Sequence, residues 1–168
     1  GLATVTAVFD PVLVSAETVK SALKQAAETA PHQIEEDASV IKISVRYGGA
    51  DGPDLPLVCE ALQITEADFI LAHTSAQHSV DMIGFTPGFA FIGGLDERLR
   101  VPRRKEPRQR VPAGSVGIAD GRTGLYAMAS PGGWMLIGRT LLQLFDAQAA
   151  EPFVLRPGMR VRFRAVRA

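Results

Sequence analysis

Residues 112–140, PAGSVGIADGRTGLYAMASPGGWMLIGRT, limit what this chain can fold into more than any other stretch. They are dense in glycine, hold two prolines and the sole tryptophan, and carry little charge. A helix is excluded, because each Gly there costs about 1 kcal/mol and each Pro about 3 kcal/mol. What remains is a set of short buried strands and tight turns: Ser115–Ala119, the turn Asp120-Gly121, Thr123–Ala129, the turn Pro131-Gly132-Gly133, and Trp134–Thr140. Asp-Gly between two apolar runs is a hairpin signal, since both central residues of a type I′ turn need positive φ. The stretch is expected to form the wall of a binding site.

The rest of the chain says what such a wall belongs to. At 168 residues it can build one good core, or one domain and a fragment. With 46% hydrophobic and 21% charged residues it is globular rather than disordered. A formal net charge of zero argues against nucleic acid or an anionic membrane as the main partner. The single cysteine, Cys59, excludes an internal disulfide framework, suits a reducing cytoplasm and is expected to be a core thiol. No apolar run approaches the roughly 20 residues that span a bilayer, and no secretory leader is recognisable at the start.

In chain order, Leu2–Phe9 is β-branched and apolar, so a strand is expected, followed by a helix over Ala16–Ala27 with Ser15 as its N-cap. This pair reads as the tail of a small α/β domain whose earlier part is absent, and Thr29–Ser39 as a polar linker. A second domain starts with the alternating strand Val40–Arg46. A turn at 47–52, a helix over Pro53–Leu62 with Pro at its first position, and a helix from the Thr65–Asp68 cap to about Thr74 follow. Ser79–Phe85 and Phe89–Ile92 are strands around the turn Thr86-Pro87-Gly88. Asp96–Arg110 has seven basic residues against three acids, and its two prolines make it a basic loop. Leu141–Phe145, Phe153–Leu155 and the alternating Met159–Val166 complete a series of short strands, the pattern of a β-barrel with one or two helices attached.

Familiar chemical motifs are missing. There is no phosphate-binding G-x-x-x-x-G-K loop, and Gly114-Ser115-Val116-Gly117 lacks the spacing of a nucleophile elbow, which favours a turn role for Ser115. His73 and His78 are five apart, not the i, i+4 of a zinc helix, so no metal site is expected; His32 is ascribed little. His73 is either a structural histidine or a proton shuttle. Asp54 is either an acid favoured by a helix dipole or a carboxylate aimed into a pocket. Arg103 or Arg104 is placed to clamp a carboxylate or phosphate, unless the basic run is simply a solvated face. Gly88, Phe89, Gly132, Gly133 and Trp134 form two Pro-Gly turns each followed by an aromatic, serving either the core or a ligand that approaches the backbone.

Together, Gly84–Phe89, Gly93-Gly94-Leu95, Val101-Pro102-Arg103, Arg110–Ala119, Ser130–Trp134 and Ile137–Thr140 resemble one bacterial family. It is the family called allophanate hydrolase subunit 1, KipI-like, or PxpB, the B component of 5-oxoprolinase. The likeness runs from about Val40 to the C-terminus and more weakly over the first strand and helix. It implies a mainly β fold: a cyclophilin-like β-barrel over 38–168, preceded over 1–37 by the end of a ferredoxin-like α/β domain and a linker. It implies a small subunit of an ATP-dependent enzyme that opens 5-oxoproline to glutamate. ATP, with magnesium, is the implied cofactor. The implied partners are a homologous second subunit (the C component of 5-oxoprolinase, or allophanate hydrolase subunit 2) and a third hydrolase of LamB/YcsF type. The alternatives are a KipI-like inhibitor of a sensor histidine kinase, docking through Phe85, Phe89 and Phe91, and a subunit of allophanate or urea-carboxylase chemistry.

By position the resemblance carries His73 and Asp54 as catalytic candidates. It carries Phe85, Gly88, Phe89, Arg103, Pro112, Ser115 and Trp134 as pocket candidates, which Gly132 and Gly133 join from the residue reading. The chain departs from the family pattern at Ala90-Phe91, where Pro-Tyr is common, and at Ala127 and Leu141, which replace prolines. It departs again at Asp120-Gly121-Arg122, where Gly-x-Gln is common. There Arg122 replaces a neutral amide with a cation, which implies a more anionic ligand.

Overall fold

The computed structural model describes residues 4–29 and 40–167, and the chain divides into two units, Gly1–Glu36 and Asp37–Ala168. In the first unit, Ser15 Oγ accepts from the Thr18 amide and opens helix α1 (Ala16–Thr29), which buries none of its side chains. The strand expected over Leu2–Phe9 is not formed across residues 4–9, since no strand is available among the unit's described residues to pair with it. His32 lies outside the described residues.

The second unit is a closed seven-stranded barrel. Its strands are β1 (Ile41–Tyr47), β2 (His78–Ile83), β3 (Ala90–Gly93), β5 (Ser115–Ala119), β6 (Arg122–Leu125), β8 (Met135–Arg139) and β9 (Arg160–Ala165), joined in the order β1-β8-β5-β6-β3-β2-β9. Strand β4 (Arg108–Val111) and strand β7 (Ser130–Gly132) form a separate two-stranded ribbon. The mainly β barrel expected from the sequence is therefore present. It closes by pairing β9 with β1 in parallel, Ile43 opposite Phe163. Both strands alternate as their sequences require: Ile43, Val45, Val161 and Phe163 point inward, and Lys42, Ser44, Arg162 and Arg164 outward.

The Asp120-Gly121 hairpin forms as expected. Asp120 has φ 51° and Gly121 φ 79°, and Ala119 pairs with Arg122 across the turn. Two helices lie between β1 and β2. Helix α2 (Leu55–Leu62) starts after Asp54 rather than at Pro53, with Pro56 in its first turn, where a missing N–H costs no helical bond. Helix α3 (Glu66–Ser75) has Thr65 as N-cap, its Oγ1 accepting from the Asp68 amide.

Four further expected elements differ. The basic run is not one loop, because Glu97–Leu99 is a short 3₁₀ turn and Arg108–Val111 is strand β4. Pro107 precedes that strand, where it removes no ladder donor. Strand β6 ends at Leu125, short of Ala129. Neither Leu141–Phe145 nor Phe153–Leu155 is a strand; they meet only at an isolated bridge between Phe145 and Phe153.

The side chains form two apolar clusters. Ile43, Val45, Val116, Ile118, Leu125, Ile137 and Phe163 belong to the barrel interior. Phe89, Val111, Ala119, Tyr126, Trp134 and Leu136, with Phe91 against them, form a second cluster that includes the ribbon's Val111. Alternate residues of β3, β5 and β8 feed one cluster or the other, so all five residues of β5 are buried. Strands covered on both faces must be thin on one of them. A Cβ on Gly124 would lie 2.8 Å from the Phe89 ring and 2.9 Å from Trp134.

Candidate functional site: an aromatic cleft beside the basic run

A cleft of about 280 Å³ opens over the second cluster. Phe85, Phe89 and Phe91 form one side; Pro131, Gly132, Gly133 and Trp134 come from the second Pro-Gly turn; Arg103, Pro107 and Tyr126 complete the lining. The aromatics meet edge to face, Phe89 with Phe91 at 4.8 Å, with Tyr126 at 4.9 Å and with Trp134 at 5.7 Å between ring centres. That geometry sets positive ring edges against negative faces and fixes the ring positions.

Each wall has a local cause. The Thr86–Phe89 turn closes with the Phe89 amide donating to the Thr86 carbonyl. It places Phe85, a residue 66% exposed, at φ 70°, an uncommon conformation for a residue with a Cβ. On the opposite wall Gly132 must lack a Cβ, which would collide with Tyr126 Oη. Burial pushes the Tyr126 phenol up, with the Trp134 backbone N–H and the charges of Arg103 and Arg108 acting in the other direction. Arg103 lies with its guanidinium carbon 5.8 Å from the centre of the Trp134 ring, within cation–π range, while its Nε donates to Asp120 at 3.0 Å. It is the cleft's cation, held in place but still more than half exposed.

The expected site residues separate into three places. Phe85, Phe89, Arg103, Gly132, Gly133 and Trp134 line the cleft. Gly88 sits in the turn behind it, with no room for a Cβ against Ala127 and Phe145. Pro112, Ser115 and Arg122 lie elsewhere. Pro112 is exposed ahead of β5, Ser115 is buried within β5, and Arg122 pairs with Asp81 at 3.1 Å. Arg122 therefore adds no cation to the cleft; it borders a polar depression with Asp81, Asp120 and Glu97.

Asp54 is the N-cap residue of α2, an acid at a helix start, and its carboxylate does not border the cleft. Its side chain makes no cap bond and is 2% exposed. It accepts from Arg104 at 3.1 Å, from both terminal nitrogens of Arg108 at 2.9 and 2.7 Å, and from the Leu136 amide at 2.7 Å. One carboxylate thus ties the start of α2, the basic run and β8 together. The Arg104 amide in turn donates to the Gly133 carbonyl at 2.7 Å, so Asp54 sets the position of the wall that carries Arg103 and Pro107.

His73 is inside the barrel. It has no exposed surface, and its Nδ1 and Nε2 lie 2.7 and 3.0 Å from Tyr47 Oη and Thr123 Oγ1. Phe69 stacks on the ring, and Phe163 and His78 pack at 4.6 and 5.2 Å. Burial, and then the neighbouring His78, hold His73 well below the usual imidazole range. His78 is also buried, with both ring nitrogens facing backbone carbonyls, His73 at 2.8 Å and Gly93 at 3.2 Å. Cys59 is a buried free thiol whose pKa burial raises. Among the described residues no three metal-ligating side chains converge. None of the described helices is long and apolar enough to cross a membrane.

The sequence names Pro131 only as a turn residue and Pro107 only as a helix breaker, and it gives Tyr126 no role in the lining. Tyr126 reads as one more strand residue there; it follows Gly124 by two, on the face that packs against Phe89 and Trp134.

Residues 1–155 match the family described as carboxyltransferase domain, subdomain C and D. The chain belongs to this family. Among curated members it is 50% identical over 130 residues to the B-type subunit of 5-oxoprolinase from Escherichia coli O157:H7, covering 77% of this chain and 60% of that protein. It is 42% identical over 147 residues to the corresponding 5-oxoprolinase component of Bacillus subtilis, covering 88% and 61%. The resemblance drawn from the motifs is thereby borne out, and the chain spans about three fifths of the length of these relatives. Among solved structures, the conserved uncharacterized protein PH0987 from Pyrococcus horikoshii superposes with TM-score 0.74 at 41% identity, covering 95% of this chain and 73% of that one. The Kluyveromyces lactis urea amidolyase superposes with TM-score 0.73 at 20% identity over 95% of this chain and 11% of its own, a likeness of fold alone.

Proposed function

We propose that this chain is part of a 5-oxoprolinase B-type subunit whose aromatic cleft receives a small cyclic amide bearing a carboxylate, 5-oxoproline. The observation that carries the reading is the pairing, in one cleft, of a single fixed cation with aromatic walls. Arg103 beside Trp134 supplies a charge for the carboxylate, and the rings supply flat apolar surface for a five-membered lactam. The names of the curated relatives point to the same substrate. In this reading ATP, with magnesium, phosphorylates the amide oxygen in a complex with a homologous second subunit, and a LamB/YcsF-type hydrolase completes ring opening. Backbone groups at Gly132 and Gly133 border the space where the amide oxygen sits. Asp54 positions the cleft wall and His73 braces the barrel; neither borders the cleft.

The reading is tested by combining the protein with the second subunit and the hydrolase and following 5-oxoproline-dependent ATP consumption. Arg103→Gln is expected to raise KM for 5-oxoproline about tenfold, the loss of one charge-assisted hydrogen bond, with a smaller effect on kcat. ATP consumption indifferent to 5-oxoproline would remove it.

Phe85 favours a second reading. A strained, largely exposed aromatic at the mouth of a cleft is a natural anchor for a protein partner, as a KipI-like kinase inhibitor requires. Here Phe85→Ala abolishes capture of a sensor histidine kinase, whereas on the first reading no kinase is captured by either form.

A further inference from the structure

A second concave site lies at the other end of β8. Trp134 precedes that strand and borders the aromatic cleft; Arg139 ends it and borders a groove of about 410 Å³. Three neighbouring segments of the barrel wall each send an arginine into this groove: Arg139 from β8, Arg46 from β1, and Arg167 beyond β9. Lys42, four residues before Arg46 on the same outward face of β1, adds a fourth cation. Arg46 and Arg139 stand directly opposite each other in the β1–β8 ladder. Like charges in that relation destabilise a sheet unless something of opposite sign lies between them.

The protein supplies little of that opposite charge. Asp51 accepts from Arg46 Nη2 at 3.5 Å and sits 2.9 Å from Arg46 Nε without giving that buried nitrogen an aligned acceptor, so it is the one carboxylate paired with Arg46. Arg139 spends its Nε on the Ala113 carbonyl at 3.1 Å, which fixes the side chain and leaves the rest of its guanidinium to the groove. Lys42 and Arg167 make no ion pair among the described residues. Four cations facing one carboxylate in a chain of zero net charge is a segregation that solubility does not require. Ser44 and Thr140 add hydroxyls, and Leu141, 77% exposed, gives the groove an apolar lip.

We propose that this groove is a binding site for a small phosphate-bearing anion, distinct from the aromatic cleft and separate from the ATP that donates phosphate there, with Arg46, Arg139 and Arg167 as the phosphate fork and Lys42 as a flanking charge. Planar guanidiniums held in advance at adjacent rungs suit tetrahedral oxyanions carrying more than one charge, because the forks match the oxygens in pairs. The shared chemistry is a chain of phosphates, whether free or carried by a nucleoside.

Calorimetric titration of the protein with tripolyphosphate, ATP, AMP and inorganic phosphate tests the site. Tripolyphosphate and ATP are expected to bind, with amide NMR shifts at Ser44 and Arg139–Leu142 rather than at Gly132–Trp134. ATP tighter than tripolyphosphate identifies the nucleoside-borne source, and equal affinities the free one. The exposed pair Lys42→Gln/Arg167→Gln, which touches no core contact, is expected to weaken binding at least tenfold. Arg162→Gln, on the same face but outside the groove, is expected to change it less than twofold. Three results would overturn the proposal: no heat at millimolar ligand, equal weakening by Arg162→Gln, or tighter binding of poly-glutamate than of tripolyphosphate.

Discussion

Asp54 and His73 show how the same burial gives two polar side chains different consequences. Asp54 has four donors around it and two arginines that retain partial access to water. Removing the carboxylate leaves the Leu136 amide without its acceptor and two guanidiniums without their counter-charge. Asp54→Ala is expected to cost about 2–3 kcal/mol, less than the roughly 3–5 kcal/mol of breaking a fully buried pair, because Arg104 and Arg108 can rehydrate. Urea unfolding measures this, and the loosened basic run should shift Trp134 emission to the red.

His73 acts through protons. Its folded pKa is depressed, so the unfolded chain takes up a proton near pH 6.5 that the folded chain refuses. The stability contributed by neutral His73 is therefore complete above about pH 6.5 and falls as pH drops below it, by up to about 1.4 kcal/mol per pH unit. Unfolding free energies between pH 7.5 and 5.5 should show this slope, and His73→Phe should flatten it even where it lowers stability overall.

At the scale of elements, the second Pro-Gly turn and strand β6 depend on each other across the cleft. Gly132 is tolerated in β7 because Tyr126 Oη occupies the space a side chain would take. Gly132→Ala must displace either the tyrosine or the ribbon strand. The expected result is a protein destabilised by about 1–3 kcal/mol, the usual cost of overpacking, with the cleft distorted at Trp134. Thermal unfolding and Trp134 fluorescence check both. Gly121, in the hairpin, has positive φ but open space around it, so Gly121→Ala costs only backbone strain and leaves the cleft unchanged. The contrast shows why the glycines of residues 112–140 are not interchangeable. Some are required by torsion, others by the aromatic rings against which they pack.

Over the whole molecule the two units contribute unequally. Every buried hydrophobic residue among those described lies between Ile43 and Phe163, and α1 buries nothing. The barrel unit therefore contains its own core, and residues 40–168 expressed alone should melt cooperatively within a few degrees of the whole chain. Scanning calorimetry decides this, and a broad or strongly lowered transition would show that the first unit contributes to the fold. The match of residues 1–155 to one carboxyltransferase-domain family spans residues of both units.

What the sequence determined by itself is local. Alternation in Val40–Arg46 and Met159–Val166 predicted strands with one wet face, because a half-buried strand displays its inward set every second residue. Asp120-Gly121 predicted its turn because few other pairs accept two positive φ values. The glycine-rich stretch predicted a wall, and Gly132, Gly133 and Trp134 do line a cleft. What only the tertiary structure decided is which charged and polar groups meet. Asp54 finds its arginines 50 and 54 residues away, Arg122 finds Asp81 rather than a ligand, and His73 lies inside the barrel. Three arginines distant in sequence reach one groove only because β8, β1 and β9 are neighbours in a closed barrel. Backbone torsions and burial periods are written residue by residue, whereas ion pairs and pockets depend on strand order, which no single segment encodes.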